Sequence, residues 1–236
     1  MEAYFIVCEQ DNDFRRKLES QITVASIRTR KIRYYEDFSD EQKRRAFCRE
    51  RDITLLPSKK GTVAYRLIGK SFLRERLQRI AKTTPLFSSR LLDKFEKSPQ
   101  TPLFTIEDNH ITGVLHFSDY NRLPVYTYFY YLVSSCERMM RAICAQEESG
   151  KERPELQEEQ FSHIIKRFRE LHPGVISSKE AGYLVDLRNM VMHSKNGILH
   201  IDYKKGPLQF LYSSFLRLLR RRKLLLDCLE HLRRLF

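Results

Sequence analysis

Apolar residues recur along the chain in two rhythms. In the second half the rhythm is helical: Phe161, Ile164, Ile165, Phe168 and Leu171 follow the i, i+3, i+4, i+7 spacing of one stripe. It predicts four helices, running from Val125 to Ala145, Glu155 to Leu171, Ser177 to about His193, and Pro207 to Phe236. Their ends carry the expected signals. Glu155, Glu158 and Glu159 suit the positive end of a helix dipole, Ser177-Ser-Lys-Glu180 reads as a capping box, Asn196-Gly197 as a stop, and Pro207 as a first helical residue. Short connections between them imply an antiparallel bundle.

The first half alternates extended and helical signals. Thr101 to Ile106 reads as a strand, Asp108-Asn109-His110 as a turn, and Ile111 to Phe117 as the returning strand. Ahead of this hairpin Ser88 opens a short helix with Leu91, Leu92 and Phe95 on one side. The same order occurs earlier, with a helix from Asp40 to Glu50, strands at Ile53 to Leu56 and Thr62 to Ile68, and a turn at Lys59-Lys60-Gly61. A repeat of about 50 residues follows, and because neither copy buries its own sheet face the two are expected to pack together. The change of rhythm places a boundary near Leu123-Pro124.

The charge balance narrows the partners. With 43 Lys+Arg against 30 Asp+Glu the chain carries +13, spread over both halves, which favours a polyanion such as RNA, DNA or free phosphates. Five cysteines without a C-x-x-C indicate neither a disulfide framework nor a zinc ribbon, and fit a reducing cytoplasm. No basic-then-apolar leader opens the sequence and no stretch is apolar enough for a membrane helix; the run Val125 to Val133 is too short.

Residues 80–122 contain Thr83-Thr84-Pro85-Leu86, the helix, Pro102-Leu-Phe-Thr-Ile106 and Gly113-Val-Leu-His-Phe-Ser-Asp119. This resembles the second copy of a tandem CBS pair, with a degenerate first copy over about 20–79, the pair occupying residues 1–123. The resemblance implies an adenine nucleotide (of AMP, ADP or ATP type) as regulatory ligand, with Asp119 accepting from its ribose hydroxyls and Thr84, His116 and Ser118 around it. His116 stands where the family has a hydroxyl residue, and Lys70 falls opposite Asp119 in the first copy, where it would supply phosphate charge. Read from the residues alone, Ser118-Asp119 is equally a cap for the helix that follows.

The third helix of the second half contains Leu187-Arg188-Asn189-Met190-Val191-Met192-His193. This resembles the R-x4–6-H signature of HEPN domains, and the likeness extends to residues 124–236 as a helical bundle. It implies a dimeric endoribonuclease with Arg188, Asn189 and His193 as catalytic residues, in a toxin or antiviral-defence setting with a protein antitoxin or inhibitor as a further partner. Helix geometry adds an independent reading. Leu184, Leu187 and Val191 share an arc that should face the core, whereas Asp186, Asn189 and His193 share the opposite one. Arg188 lies about 140° from His193 at 3.6 residues per turn, so on a straight helix the two do not converge. Either the helix unwinds before His193 or the site is assembled from two copies.

The chemistry needs no metal ligand set. RNA brings its own nucleophile in the 2′-hydroxyl, an imidazole titrating near neutrality serves as acid or base, and a guanidinium holds the phosphate oxygens. Glu137 and Arg141, four apart on the first helix, read as a surface pair or as a pair facing this motif. The aromatic run Tyr126, Tyr128, Phe129, Tyr130 and Tyr131 reads as packing and dimer surface, or as a base-stacking face. Arg220 to Lys223 read as a solvated face or as phosphate contacts. The expected architecture is therefore α+β: an N-terminal CBS pair followed by an all-α HEPN-like bundle. The expected functions are a nucleotide-regulated endoribonuclease leaving a 2′,3′-cyclic phosphate, or a non-catalytic nucleotide-sensing dimer that binds RNA or protein.

Overall fold

The computed structural model describes residues 2–99, 101–108, 110–147, 159–193, 199 and 207–235. The chain is mixed α and β, with small sheets and a helical C-terminal region. It divides into two compact units: Ser20–Tyr120, and a helical unit made of Met1–Glu19 with Asn121–Phe236. The break at Asn121 lies next to the boundary read at Leu123-Pro124. Residues 1–19, expected within the N-terminal domain, group instead with the C-terminal helices. No mark of that long-range pairing is local to the first helix.

The sheet unit contains two three-stranded sheets. β1 (Leu55–Pro57), β2 (Val63–Ile68) and β3 (Ser71–Arg76) form an antiparallel meander. β3 was not expected. Ile68 pairs with Ser71 across Gly69-Lys70, a two-residue turn in which Gly69 adopts a φ of +61° that a side chain would oppose. In the second sheet β4 (Arg79–Ile80) runs parallel to β5 (Leu103–Glu107), reached through the helix Ser89–Lys97, and β5 pairs antiparallel with β6 (His110–Leu115). The helix–hairpin order is thus present twice, after Glu41–Glu50 and after Ser89–Lys97, but the two sheets differ in strand order and direction. They do share a core. Leu55 and Ala64 of the first sheet, Leu77 between them, and Phe104 and Ile111 of the second form one buried cluster.

A segment at the start of this unit laces the second sheet. Thr29 exchanges both backbone hydrogen bonds with Val114, at 2.8 and 2.9 Å, and the Val24 and Ala25 amides donate to the carbonyls of Thr84 and Lys82. Arg28 then crosses β5 and β6, donating from Nη1 to the Thr105 and Thr112 hydroxyls at 3.1 Å each. Gly113 makes room for it: a Cβ there would sit 2.5 Å from Arg28 Cδ and 2.8 Å from Thr105 Oγ1.

In the helical unit α1 spans Glu2–Gln21, α5 Leu123–Glu147, α6 Phe161–Leu171, α7 Ser178–His193 and α8 Pro207–Arg234, where α2 (Val24–Ile27), α3 (Glu41–Glu50) and α4 (Ser89–Lys97) are the helices of the sheet unit. The stripe of α6 buries Phe161, Ile164, Ile165 and Phe168. α6 begins at Phe161 rather than Glu155, and Glu155 and Glu158 lie outside the described residues, as do Asn196-Gly197. Tyr128 and Phe129 of the aromatic run are buried in α5, whereas Tyr130 is 46% exposed and Tyr131 meets Phe14 of α1 at a ring separation of 5.0 Å. Among the described residues no helix is long and apolar enough to cross a membrane.

Candidate functional site

α7 is started by the capping box its sequence announces. The Ser177 hydroxyl accepts from the Glu180 amide at 3.2 Å, while the Glu180 carboxylate accepts from the Ser177 amide at 2.9 Å and hydroxyl at 2.7 Å. Those bonds hold the Glu180 carboxyl below its ordinary range. From this anchored end the helix rotates Ala181, Leu184, Leu187 and Val191 into the core. Asp186, Asn189 and His193 are consequently exposed on the other side. His193 ends the helix, where its imidazole meets the negative end of the backbone dipole.

Arg188 turns the other way. Its Nε, shut off from solvent, lies 3.6 Å from Glu137 Oε2 of α5, an ion pair too long for a hydrogen bond. Glu137 Oε1 simultaneously accepts from Arg141 Nη2 at 2.6 Å, and Arg141 donates to the Glu159 carbonyl. The Glu137–Arg141 pair is therefore not a surface pair: its side chains are 14% and 20% exposed and it faces the Arg188 of the motif. Asn189 and His193 are gathered on one face, and Arg188 is held on another by a carboxylate between two guanidiniums.

The residues expected around a nucleotide are partly assembled in the sheet unit. Asp119 lies in the short turn Phe117–Asn121 and caps it: Oδ2 accepts from the His116 amide at 2.8 Å while the Asp119 amide donates to the His116 carbonyl at 2.9 Å. The cap thus belongs to this turn and not to the following helix α5. Oδ1 accepts from the Thr29 hydroxyl at 3.5 Å. His116 Nδ1 lies 2.9 Å from the Ser118 hydroxyl, and burial pushes the imidazole pKa down to about 4, against a weaker upward pull from the Pro99 carbonyl. It is neutral at pH 7. Thr84 offers its carbonyl to the Val24 amide. Among the described residues Lys70, exposed in the β2–β3 turn, accepts at its carbonyl from Arg45 and bonds none of the other four.

Two cavities with basic linings are present, the first sharing Arg220 and Arg221 with the run read as a solvated face or as phosphate contacts. One is a cavity of about 380 Å³ in the helical unit lined by Glu180, Tyr183, Arg217, Arg220, Arg221 and Leu224. The other, of about 460 Å³, lies in the sheet unit against Arg76, Leu77, Gln78, Arg79 and Lys94. The run Arg220 to Lys223 is divided by its helix. Arg220 and Lys223 are exposed, whereas Arg222 turns inward to donate to Glu19 at 2.6 Å and to the Tyr128 hydroxyl at 3.0 Å. Among the described residues no group of three or more His, Cys, Asp or Glu is placed to hold a metal ion.

The class defined so far is a mixed α and β chain of two units whose helical unit presents an exposed Asn-His pair on one face of α7 and a carboxylate-held arginine on another. No protein-family model, curated protein or solved structure matches the chain.

Proposed function

We propose that the helical unit is an endoribonuclease acting on single-stranded RNA, with Arg188, Asn189 and His193 supplied by two copies of the chain. The observation that carries this reading is the split of α7: core residues Leu184, Leu187 and Val191 fix the helix, and Asn189 and His193 are left exposed on one face. A second copy packed against that face would add another imidazole, which lets one act as base and the other as acid. The base takes the proton of the 2′-hydroxyl, whose oxygen bonds to phosphorus as the bond to the 5′-oxygen breaks. The acid protonates that leaving oxygen, and the product carries a 2′,3′-cyclic phosphate. Positive charge on the phosphorane is the part assigned to Arg188, whose partner Glu137 sets where the guanidinium sits before RNA arrives.

An adenine nucleotide stays in this reading as the regulatory ligand, with the Asp119 carboxylate that would meet its ribose also accepting from the His116 amide and the Thr29 hydroxyl. A second reading, in which the bundle docks RNA without cutting it, is favoured by one observation: Arg188 faces Glu137 and not the His193 face. Incubation of the purified chain with single-stranded RNA in excess EDTA, with and without AMP, ADP or ATP, separates the two. Cleavage to cyclic-phosphate ends is expected, reduced at least about 100-fold in His193→Ala. RNA that is bound and left intact under every condition selects the docking reading.

A further inference from the structure

α8 lays Arg217, Arg220 and Arg221 along the cavity that Tyr183 and Glu180 of α7 close from the other side. Arg217 and Arg220 are exposed and make no ion pair among the described residues. Arg221 is half-buried and already oriented, with Nη1 2.8 Å from Met190 Sδ, and burial pulls its pKa down, aided by Arg217 and opposed by Asp186. Tyr183 is 42% exposed, and the Lys179 ammonium lies over its ring at a loose 5.9 Å. The acidic groups do not cancel this field. Glu180 is committed to the Ser177 cap, and the one further carboxylate acting on this cluster, Asp186, is outnumbered by Lys179, Arg217, Arg220 and Arg221.

Guanidiniums at one wall and an exposed ring at the other match one kind of ligand. Phosphate oxygens take the planar fork of arginine, and a base stacks on an aromatic face whatever its sequence. A protein partner with an acidic surface would use the charges and leave the ring idle. The volume, about 380 Å³, accommodates roughly one nucleotide within a longer strand. The groove also lies on the helix that exposes Asn189 and His193, with Tyr183, Asp186, Met190 and His193 following one another at i, i+3, i+7 and i+10.

We infer that the α7–α8 groove is a single-stranded RNA track, in which Arg217, Arg220 and Arg221 hold consecutive phosphates and Tyr183 stacks a base. The inference rests on RNA being the ligand of the helical unit, and adds where the strand lies relative to the Asn189 and His193 face. It does not require that the strand be cut.

The test uses the full chain carrying His193→Ala and a fluorescein-labelled 12-nucleotide RNA, with anisotropy titrations over a series of salt concentrations. Arg217→Gln/Arg220→Gln is expected to weaken binding at least about 10-fold and to lower the slope of log K against log salt by about 1.4, two phosphate contacts at about 0.7 each. Arg217→Lys/Arg220→Lys is expected to keep that slope. Tyr183→Ala is expected to lose about 5-fold or more with the slope unchanged, and Tyr183→Phe to restore binding. All four side chains replaced are exposed or nearly so, and circular dichroism melts establish that each variant is folded. If the parent binds RNA and all variants bind equally, the track is overturned while RNA binding stands. If the parent binds no RNA, both fall. Displacement of the RNA by oligoglutamate with no effect of Tyr183→Ala identifies an acidic-protein surface and also overturns the track.

Discussion

His116 shows what a single buried side chain does to the pH dependence of the fold. An unfolded histidine titrates near 6.5, whereas this one is held at about 4, so between those values the unfolded chain takes up a proton that the folded chain refuses. Its contribution is fully present above about pH 7 and is lost as pH falls, amounting to about 2 kcal/mol by pH 5. His116→Gln keeps an acceptor for Ser118 and a donor for the Pro99 carbonyl without the titration. Urea midpoints at pH 7.5 and pH 5 should therefore separate the two proteins, with the wild type losing about 2 kcal/mol more. Equal losses would show that this imidazole is not shielded. The sequence singled out His116 and Asp119 as residues around a nucleotide, and in the structure the His116 amide donates to the Asp119 carboxylate. What it could not display was the direction of their bonds, because Thr29, which meets Asp119, lies 90 positions away.

At the scale of the element, α7 was the most legible part of the chain. A capping box, a stripe of Leu184, Leu187 and Val191, and an exposed Asn189 and His193 all follow from a 3.6-residue repeat applied to local sequence. Arg188 was placed on a different arc from His193 by the same arithmetic, and its partner Glu137 lies on α5, where the spacing to Arg141 left a surface pair and a pair facing the motif both open. Glu137 sits between Arg141 and Arg188, so Glu137→Gln leaves two guanidiniums facing each other without a counter-charge. A loss of about 2 kcal/mol is expected, discounted for the partial exposure of Arg188, and read by chemical denaturation. Adding Arg188→Met should recover part of it, and a double-mutant cycle gives the coupling; strict additivity would show the contact to be inert. β3 was missed for a different reason: Gly69-Lys70 makes a two-residue hairpin, while Lys70 drew notice only as a cation.

Across the molecule, the division into units follows contacts that sequence order conceals. Glu19 accepts hydrogen bonds from both Tyr128 and Arg222, fastening α1 to α5 and α8, and burial together with the neighbouring carboxylate pushes the Tyr128 phenol upward, against the downward pull of Arg222. Without residues 1–19, Arg222 keeps only the Tyr128 hydroxyl among these partners. Removal of that segment is expected to destabilise the helical unit by about 2–4 kcal/mol and leave the sheet unit unchanged. Amide hydrogen exchange reads this directly, as faster exchange in α5 and α8 and unaltered exchange in β5 and β6. Equal protection throughout would mean that the N-terminal helix is an ornament of the bundle.

The bond between Arg222 and Glu19 spans 203 positions, and that number sets an order of events during translation. Ser20–Tyr120 is contiguous, so all of its residues have been made before α8 is, whereas α1 must wait until α8 has been made before its carboxylate meets a guanidinium. Loop closure over such a distance adds little to the equilibrium cost but delays the step itself. The helical unit, with its exposed histidine, therefore cannot be completed until nearly the whole chain has been made.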